Sequence, residues 1–326
     1  MRIVIADPNL MPHRSTFEAA LPEGALTSWH DSWSEHAVLT DLKDADVYVG
    51  PRFTEAMGAA ASNLRLVHVG GAGYDGIDAS ALPAGAVCAN TFHHESSIAE
   101  HIATVLVALR RNLIGQDAAL RSGVWSSSVY SPEIRQPETL RGAVVTFLGF
   151  GHIGGAAWSL LKAFGAEGIA ITRSGSVDAE ANSLRWAGTT ERLGEALSES
   201  DILVVSIPLT EQTTGIVGAA ELDDLGPDGL LVNIARGPVV DEPALYEALK
   251  DRRVAGAAID VWYQYPGPDG RGEPSMLPFG RLDNIIMTPH SSGVTAETFR
   301  SRALEIAENI TRLATNQPLK NVVISR

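Results

Sequence analysis

Three glycines give the clearest chemical signal in this sequence. They stand as Gly149-x-Gly151-x-x-Gly154, after an apolar run at 143–148 and before a helical pattern from about 153 to 164. In such a turn the first glycine allows a tight bend, the second lets a pyrophosphate approach the backbone, and the third lets helix and strand pack closely. The helix start adds free N–H groups and a partial positive charge. The pattern predicts a dinucleotide site at Gly149, Phe150, Gly151, His152, Ile153 and Gly154.

The next apolar run ends in Thr172-Arg173-Ser174, and its end bears on the type of cofactor. Thr172 stands where an NAD site usually has a carboxylate that hydrogen-bonds the ribose 2′-hydroxyl. Because no carboxylate stands at this position, a 2′-phosphate would not be repelled. The guanidinium of Arg173 can pair with the 2′-phosphate. We therefore predict NADP(H), with NAD(H) as the alternative if Arg173 only stacks on the adenine.

The elements that must position this turn alternate between short apolar strands and helical stretches. Most of the strands are continuous apolar runs, which is typical of parallel strands buried on both faces. We predict an α/β fold with two Rossmann-like, doubly wound parallel sheets. The predicted strands are 2–6, 45–49, 65–69, 86–89, 143–148, 168–172, 202–206, 230–234, 255–259 and 284–287.

Two long helical patterns, at about 97–120 and 296–314, enclose the glycine-rich turn. This order predicts a discontinuous substrate domain, 1–97 plus 293–326, and a dinucleotide-binding domain, 98–292. The segment 124–140 fits neither a helix nor a strand. It is interpreted either as the arm of a homodimer or as a surface loop.

Bulk composition limits the class of partner. The chain has 326 residues and a net charge of −14, which disfavours a nucleic-acid or anionic-membrane surface. Its single cysteine, Cys88, excludes an internal disulfide, and its neighbours indicate a buried thiol. The first residues enter a strand pattern without the layout of a signal peptide, so we expect a cytoplasmic protein.

Several further motifs occur in a fixed order along nearly the whole chain. Through them the sequence resembles the D-isomer-specific 2-hydroxyacid dehydrogenases, which include glyoxylate and hydroxypyruvate reductases and formate dehydrogenase. The resemblance implies hydride transfer between NAD(P)(H) and a small 2-oxo or 2-hydroxy acid, with D specificity. Besides the glycine turn, the motifs are Gly71-Ala72-Gly73-Tyr74-Asp75-Gly76-Ile77-Asp78, Ile98-Ala99-Glu100-His101, Ile207-Pro208-Leu209-Thr210, Val232-Asn233-Ile234-Ala235-Arg236-Gly237, Ala258-Ile259-Asp260-Val261 and Thr288-Pro289-His290.

Two residues are predicted to be catalytic. Arg236 follows an apolar strand, at the end where sheets of this class bind ligands. Its planar guanidinium can hold the carboxylate of a 2-oxo acid and polarise the carbonyl. His290 follows another apolar strand and can give a proton to the developing alkoxide, or accept one in the reverse direction.

The remaining site predictions concern substrate and cofactor. Small residues at Ala72 and Gly73 leave backbone N–H groups open to a carboxylate. Arg52 follows an early strand and is either a cleft residue or a solvated one, while the resemblance implies that His93 or, by preference, His94 touches substrate. Asp260 either lies beside the nicotinamide, as the resemblance implies, or caps a loop. The implied cofactor positions are Ser206, Ile207, Pro208, Thr213, Ile234, Ala235, Asp260 and Ser292; no metal is predicted.

The sequence departs from the family pattern at one position near the catalytic histidine. The family usually has a glutamate five positions after the Asp of Asp260-Val261, and this chain has Tyr265, with Gln264 beside it. In one interpretation Gln264 or Tyr265 orients His290, whose pKa is then less elevated. In another, Glu273 or Glu95 supplies the carboxylate from elsewhere.

Two alternative functions stay open at this point. The missing glutamate also suits a substrate that needs no strong proton relay, such as formate, phosphite or an aldehyde hydrate, oxidised by an enzyme of the same family. A different class, the dinucleotide-sensing corepressors, shares the fold, because a fold does not fix a function.

Overall fold

The computed structural model describes residues 1–31, 34–267 and 269–325. The chain divides into two compact units, Met1–His93 with Val294–Arg326 (unit 1) and His94–Gly293 (unit 2). The predicted borders at 97/98 and 292/293 lie close to these. Unit 1 is discontinuous because the chain leaves it for unit 2 and returns in one long helix.

Thirteen strands occur in the described residues: β1 Arg2–Ile5, β2 Leu26–Trp29, β3 Val47–Val49, β4 Leu66–His68, β5 Val87–Ala89, β6 Val144–Leu148, β7 Glu167–Thr172, β8 Trp186–Thr189, β9 Ile202–Val205, β10 Leu230–Asn233, β11 Gly256–Ile259, β12 Ile285–Met287 and β13 Val322–Ser325. Eleven α-helices accompany them: α1 Arg14–Ala19, α2 Glu35–Leu42, α3 Glu55–Ala60, α4 Glu95–Arg110, α5 Leu113–Arg121, α6 His152–Ala163, α7 Ala179–Asn182, α8 Leu193–Ser198, α9 Ala219–Leu225, α10 Glu242–Lys250 and α11 Ala296–Ala314.

The two units contain one sheet each, which confirms the predicted doubly wound α/β class. In unit 2 the order is β12-β11-β10-β9-β6-β7-β8, and all of its strands are parallel. The strand order reverses between β6 and β9, the point at which open sheets of this kind bind ligands. In unit 1 the order is β13-β5-β4-β3-β1-β2, with β13 as an antiparallel edge strand.

Strand β6 shows why these strands appear as continuous apolar runs. Val144 and Leu148 belong to the hydrophobic core on one face of the sheet, and Val145 and Phe147 belong to the core on the other. All four side chains are buried. A strand buried on both faces lacks the alternation of apolar and polar residues that marks a strand buried on one face only.

Helix α11 carries the chain back across unit 1. Its N-cap Thr295 accepts a hydrogen bond from the backbone N–H of Thr298, which satisfies one of the free donors of the first turn. Phe299, Ala303 and Ile306 pack into a core with the strands of unit 1. No helix in the described ranges is long and apolar enough to cross a bilayer.

The predicted single helix over 97–120 is wrong. It is two helices, α4 and α5, because Asn112 adopts a left-handed backbone (φ 49°) that an α-helix cannot contain. The strands β2, β8 and β13 were not predicted. β2 and β8 are only partly buried, and their sequences lack a continuous apolar run. β13 has an apolar run of three residues, but it is a short antiparallel edge strand with exposed ends.

Candidate active site

The glycine-rich turn has the geometry that its sequence predicts. Gly149 has a φ of 98°, and a Cβ there would lie 2.8 Å from the carbonyl oxygen of Ser206. A Cβ on Gly154 would lie 2.5 Å from the carbonyl oxygen of Gly149. Only glycine fits both positions, so the turn stays tight and helix α6 starts directly beside β6. Phe150 packs edge-to-face on Phe147, with ring centroids 5.7 Å apart.

The open side of this turn suits an anion. Gly151 is the N-cap of α6 and offers no side chain to the first-turn N–H groups. A Cβ at Gly151 would meet nothing within 4 Å. The donors of a helix start that no side chain caps are a binding site for phosphate. These residues fit the pyrophosphate of a dinucleotide, and His152 and Ile153 begin the helix at the same place.

The end of β7 carries hydroxyl groups and a cation. The hydroxyl of Thr172 accepts a hydrogen bond from the backbone N–H of Gly175 at 3.0 Å, which folds the loop back on the strand. The hydroxyls of Ser174 and Ser176 lie 2.6 Å apart, and the Arg173 side chain is exposed. This loop therefore presents hydroxyl groups and a guanidinium where a carboxylate would select NAD(H).

The loop after β9 forms the other wall of the switch point. The hydroxyl of Ser206 donates to the carbonyl oxygen of Gly149 at 2.9 Å, joining the two strand ends. Thr213 donates to the carbonyl oxygen of Pro208 at 2.7 Å and accepts from the backbone N–H of Thr210. Thr213 thus has a clear structural function in shaping the Ile207–Pro208 segment, and its predicted contact with cofactor stays a prediction.

Arg236 lies just past the carboxyl end of β10, in an extended backbone conformation. Asn233 shapes the turn that presents it: its side-chain N–H donates to the carbonyl oxygen of Arg236, and its side-chain oxygen accepts from Ala235. A Cβ on Gly237 would lie 2.5 Å from the carbonyl oxygen of Trp262, so only glycine can follow the arginine. Ile234 and Ala235, which precede it in the chain, are buried.

Asp260 follows the neighbouring strand β11 and is almost fully buried. One carboxylate oxygen accepts from the hydroxyl of Thr288 at 2.5 Å and from the backbone N–H of Ser291 at 2.9 Å. The other accepts from the backbone N–H of Ser292 at 3.0 Å. The loop-capping interpretation of Asp260 is therefore realised at both oxygens. Through these bonds Asp260 fixes the loop that contains His290.

His290 is held in an unusual backbone conformation inside that loop. Its φ is 56°, in the left-handed region that few residues other than glycine and asparagine adopt. Such strain persists only where surrounding contacts enforce it, and it is common at functional sites. The ring nitrogen Nδ1 lies 3.1 Å from the hydroxyl of Tyr265. The chain thus places a neutral phenol beside the imidazole.

The charges around His290 act in opposite directions. Partial desolvation by surrounding protein atoms lowers the pKa of the His290 imidazole, the Asp260 carboxylate raises it, and the Arg236 guanidinium lowers it. The result is a pKa below its ordinary value of 6.5. The same aspartate opposes the effect of burial on His101 of α4, whose pKa is also lowered.

The structure distinguishes between the residues expected to replace the family glutamate. Tyr265 is in contact with His290, whereas Gln264 is exposed and its backbone N–H donates to Pro274. Glu95 lies 3.8 Å from Nδ1 of His152, and the Glu273 side chain is exposed. Of these residues, Tyr265 is the one placed to orient the imidazole.

Unit 1 contains the predicted carboxylate-binding loop. The side chain of Asn90 donates to the carbonyl oxygen of Ala72 at 2.7 Å, and the backbone N–H of Thr91 donates to that of Gly71. These bonds hold the peptide next to Gly73. Arg52 is exposed, beside Gly76 of the same motif.

His94, the predicted substrate contact, belongs to unit 2, where it is the N-cap of α4. Sequence reasoning missed three residues that hold the predicted catalytic residues in place. Asn233 and Thr288 orient the two predicted catalytic residues, and the indole N–H of Trp262 donates to the carbonyl oxygen of Thr288 at 2.8 Å. Asn233 and Thr288 stand within the quoted motifs and Trp262 directly follows one of them, but the pattern alone gave no reason to assign them a positioning role.

The parallel sheet with its reversal at β6 and β9, the glycine turn and the arginine and histidine at the strand ends define a class of nicotinamide-dependent dehydrogenases. Comparison with known proteins narrows the class. The sequence model for "D-isomer specific 2-hydroxyacid dehydrogenase, NAD binding domain" matches residues 103–292. The chain belongs to the D-isomer specific 2-hydroxyacid dehydrogenases, a family of NAD(P)-dependent enzymes.

Individual relatives cover most of the chain. Glyoxylate reductase of Pyrococcus furiosus is 30% identical over 310 residues, which is 89% of each protein. D-3-phosphoglycerate dehydrogenase of Methanocaldococcus jannaschii is 29% identical over 89% of this chain, which spans 54% of that longer protein. The glyoxylate/hydroxypyruvate reductase of Sinorhizobium meliloti, solved with NADP and malonate, superposes with a TM-score of 0.76 at 26% identity, covering 100% of this chain and 98% of that one.

Proposed function

We propose that this chain reduces a small 2-oxo acid to the D-2-hydroxy acid, with NADPH as the preferred cofactor and the reverse oxidation carried out by the same groups. The observation that carries the proposal is the loop locked by Asp260, which holds His290 beyond the ends of the strands adjoining Arg236. The glyoxylate and hydroxypyruvate reductases among its relatives support this substrate class.

Arg236 binds the substrate in this proposal. Its guanidinium offers paired N–H donors that match a carboxylate and can also polarise the adjacent carbonyl. The half-buried position strengthens these interactions, because a lower local dielectric weakens screening. Asn233 and Gly237 keep the side chain at the strand end.

His290 supplies the proton that the carbonyl oxygen needs as it becomes an alkoxide. When bound, the reduced nicotinamide supplies the hydride. Tyr265 fixes the rotation of the imidazole through Nδ1, so that Nε2 is the nitrogen left to exchange a proton. A phenol orients the ring without adding a negative charge, whereas a glutamate would also favour the protonated form.

The cofactor preference rests on the end of β7. A 2′-phosphate brings about two negative charges, which the exposed Arg173 and the hydroxyls of Ser174 and Thr172 can accept. NAD(H) would lose these contacts and find no carboxylate for its ribose. Asp260 and Ser292 are proposed to lie beside the nicotinamide, together with the segment Ser206–Pro208, Thr213, Ile234 and Ala235.

Four further residues remain proposals as substrate contacts: Ala72 and Gly73, by their backbone N–H groups, His94 and Arg52. His94 and Arg52 can be tested singly by substitution, since a lost substrate contact raises KM for the acid and leaves the affinity for NADPH unchanged.

We also propose that the chain forms a homodimer in the cytoplasm. Large apolar side chains are exposed along residues 113–130, a concentration that usually marks a protein interface. Trp125 and Tyr130 pack edge-to-face at 5.3 Å and are 62% and 63% exposed. The others are Leu113, Ile114, Leu120, Val124 and Val129.

A second candidate function follows from the lowered pKa of His290. A neutral imidazole is a ready base at neutral pH, which suits the attacking water in phosphite oxidation or the hydroxyl proton of an aldehyde hydrate. Formate oxidation releases CO2 and needs no proton transfer, so it does not depend on a protonated His290. The deciding experiment measures NADPH and NADH oxidation with glyoxylate, hydroxypyruvate and phenylpyruvate, and NADP⁺ and NAD⁺ reduction with formate and phosphite. The proposal predicts turnover of a 2-oxo acid with NADPH, and turnover confined to formate or phosphite would overturn it.

A further inference from the structure

Two buried charges that the proposed reaction does not use lie at the carboxyl ends of the strands of unit 1. Asp7 is two residues past the end of β1, and Arg302 of α11 contacts Phe92, which follows β5. They are 5% and 8% exposed. Charged residues are almost never buried to this extent unless they are paired. The end of the sheet that the proposed function assigns to substrate thus contains a buried anion and a buried cation.

The carboxylate of Asp7 packs on the backbone of Gly70, which follows β4. Its oxygen Oδ1 accepts hydrogen bonds from the backbone N–H and the side-chain N–H of Asn9, at 3.0 and 3.1 Å. Its other oxygen, Oδ2, would lie 2.5 Å from a Cβ at position 70. Residue 70 therefore has to be glycine while Asp7 holds this place, because any side chain would collide with the carboxylate.

The guanidinium of Arg302 lies beside the next residue of the same loop. Its Nη1 is 3.9 Å from the place that a Cβ on Gly71 would take, and its Nε donates to the carbonyl oxygen of Phe92 at 2.8 Å. Burial raises the pKa of the Asp7 carboxyl, whereas hydrogen bonds from Asn9 and the positive charge of Arg302 lower it. The two charges therefore interact while they pack against consecutive loop residues.

The loop that they contact needs such support. Gly70, Gly71 and Gly73 have no side chain, so their backbone is intrinsically free to adopt many conformations. A loop that must first be ordered binds its ligand more weakly than a loop that is already ordered. The carbonyl oxygen of Ala72 is held by Asn90 at 2.7 Å, which leaves the start of the loop to Asp7 and Arg302.

We propose that Asp7 and Arg302 form a charge pair that positions the carboxylate-binding loop 70–73 and so sets the affinity for the 2-oxo acid. They act through the loop and are positioning residues, not catalytic ones. This inference rests on the proposed binding of the substrate carboxylate by the backbone of Ala72 and Gly73, and it is independent of the identity of the proton donor.

Steady-state kinetics with glyoxylate and NADPH test the pair, together with inhibition by oxamate, a non-reducible analogue of a 2-oxo acid. In Asp7→Asn and Arg302→Met, we expect KM for glyoxylate and Ki for oxamate to rise by about tenfold, as for one lost hydrogen bond. The kcat value should stay within about twofold of the wild type, and the Kd for NADPH should not change. Arg302→Lys keeps the charge and should restore most of the affinity.

The double variant Asp7→Asn/Arg302→Met tests whether the two residues act as a pair. Its KM should be no higher than that of either single variant, because the second substitution removes a group whose partner is already lost. Effects that multiply would overturn the pairing. If Arg302→Met does not fold, because it leaves the Asp7 charge buried alone, Asp7→Asn and Arg302→Lys still decide whether the affinity depends on the pair.

Asn309→Ala is the matched control. Asn309 is a fully buried polar residue of the same helix, and its side chain bonds to His68 and to the carbonyl oxygen of Lys320. Its loss should lower Tm and leave KM for glyoxylate unchanged. An equal rise of KM in Asn309→Ala, or no rise in folded Asp7→Asn and Arg302→Met, overturns the positioning role and leaves the proposed function intact. A wild type that reduces no 2-oxo acid overturns the proposed function and this inference with it.

Discussion

The hydroxyl of Tyr265 lies 3.1 Å from Nδ1 of His290, and their rings are 5.7 Å apart. A phenol in this position can donate or accept a hydrogen bond but carries no charge at neutral pH. The imidazole is thus oriented without the carboxylate that would stabilise its protonated form. The carboxylate that raises the pKa of His290 is instead Asp260, which also accepts hydrogen bonds from the backbone of the loop.

Tyr265→Glu should move the pH profile of ketoacid reduction. Reduction needs protonated His290, so the rate falls as pH rises through the histidine pKa, which lies below 6.5 in the wild type. A carboxylate on Nδ1 favours the imidazolium and should shift this limb upward by about one to two pH units. Tyr265→Phe should lower kcat by about tenfold through lost orientation, with a smaller shift of the limb.

Gln264→Glu is the matched control for this prediction, because it introduces the same carboxylate at the exposed neighbouring position. Its pH–rate profile for NADPH oxidation should overlay that of the wild type. A shift in Gln264→Glu, with none in Tyr265→Glu, would refute the role of Tyr265.

Asp260→Asn should loosen the His290 loop and weaken the acid. One oxygen is replaced by an amide N–H that faces the backbone donor of Ser292, so the unfolding free energy should fall by about 1–3 kcal/mol. The loss of the charge that raises the pKa of His290 should also move the reductive limb to lower pH. Urea unfolding and the pH–rate profile check the two effects, and a profile identical to that of the wild type would contradict the second.

Arg236→Lys should keep the charge and lose the paired donors. We expect kcat/KM for the 2-oxo acid to fall by about a hundredfold or more, with the Kd for NADPH unchanged. Arg252→Lys, in an exposed ion pair with Asp283, is a control of the same chemistry and should retain full activity. Steady-state kinetics of both variants test this prediction. Near-wild-type turnover in Arg236→Lys would exclude Arg236 as the residue that binds the substrate through paired donors.

Thr172→Asp should reverse the cofactor preference. The new carboxylate would repel the 2′-phosphate and accept a hydrogen bond from a ribose hydroxyl. The ratio of kcat/KM for NADPH over NADH should drop by at least about tenfold. Equal values for the two cofactors in the wild type would already disprove the proposed preference.

The stability of unit 1 should depend on pH through His68. Burial lowers the pKa of this fully buried histidine to about 4, and its Nε2 lies 2.9 Å from the side-chain nitrogen of Asn309. The unfolded chain binds a proton near pH 6.5 and the folded chain does not. The His68 contribution is therefore complete above pH 6.5 and is lost as pH falls towards 4, by up to about 3 kcal/mol. Urea unfolding of wild type and His68→Gln between pH 7 and pH 4 measures the difference in slope; parallel curves would contradict it.

Much of the fold was predictable from the sequence because its signals are local. The glycine turn needs its residue types at Gly149 and Gly154 for steric reasons, and buried parallel strands such as β6 are continuous apolar runs. The helix break at Asn112 was not predictable, since the surrounding residues continue an apolar pattern across it. Edge strands such as β2 lack the burial that would have marked them.

In the site, too, some features were predictable from the sequence and others depend on the folded structure. The order of motifs predicts Arg236 and His290 as catalytic residues, but the choice between Gln264 and Tyr265 depends on where a loop directs two adjacent side chains. The double capping by Asp260 likewise depends on backbone donors at Ser291 and Ser292, which belong to no side-chain pattern.

The most direct test of the proposed function is the initial rate of NADPH oxidation with glyoxylate or hydroxypyruvate in wild type and His290→Asn. Asparagine tolerates the left-handed backbone at this position, so the loop should keep its conformation. We predict 2-oxo-acid-dependent turnover in the wild type, a loss of about a hundredfold or more in the variant, and an unchanged Kd for NADPH. A folded His290→Asn variant that reduces the acid at the wild-type rate would contradict the proposed function.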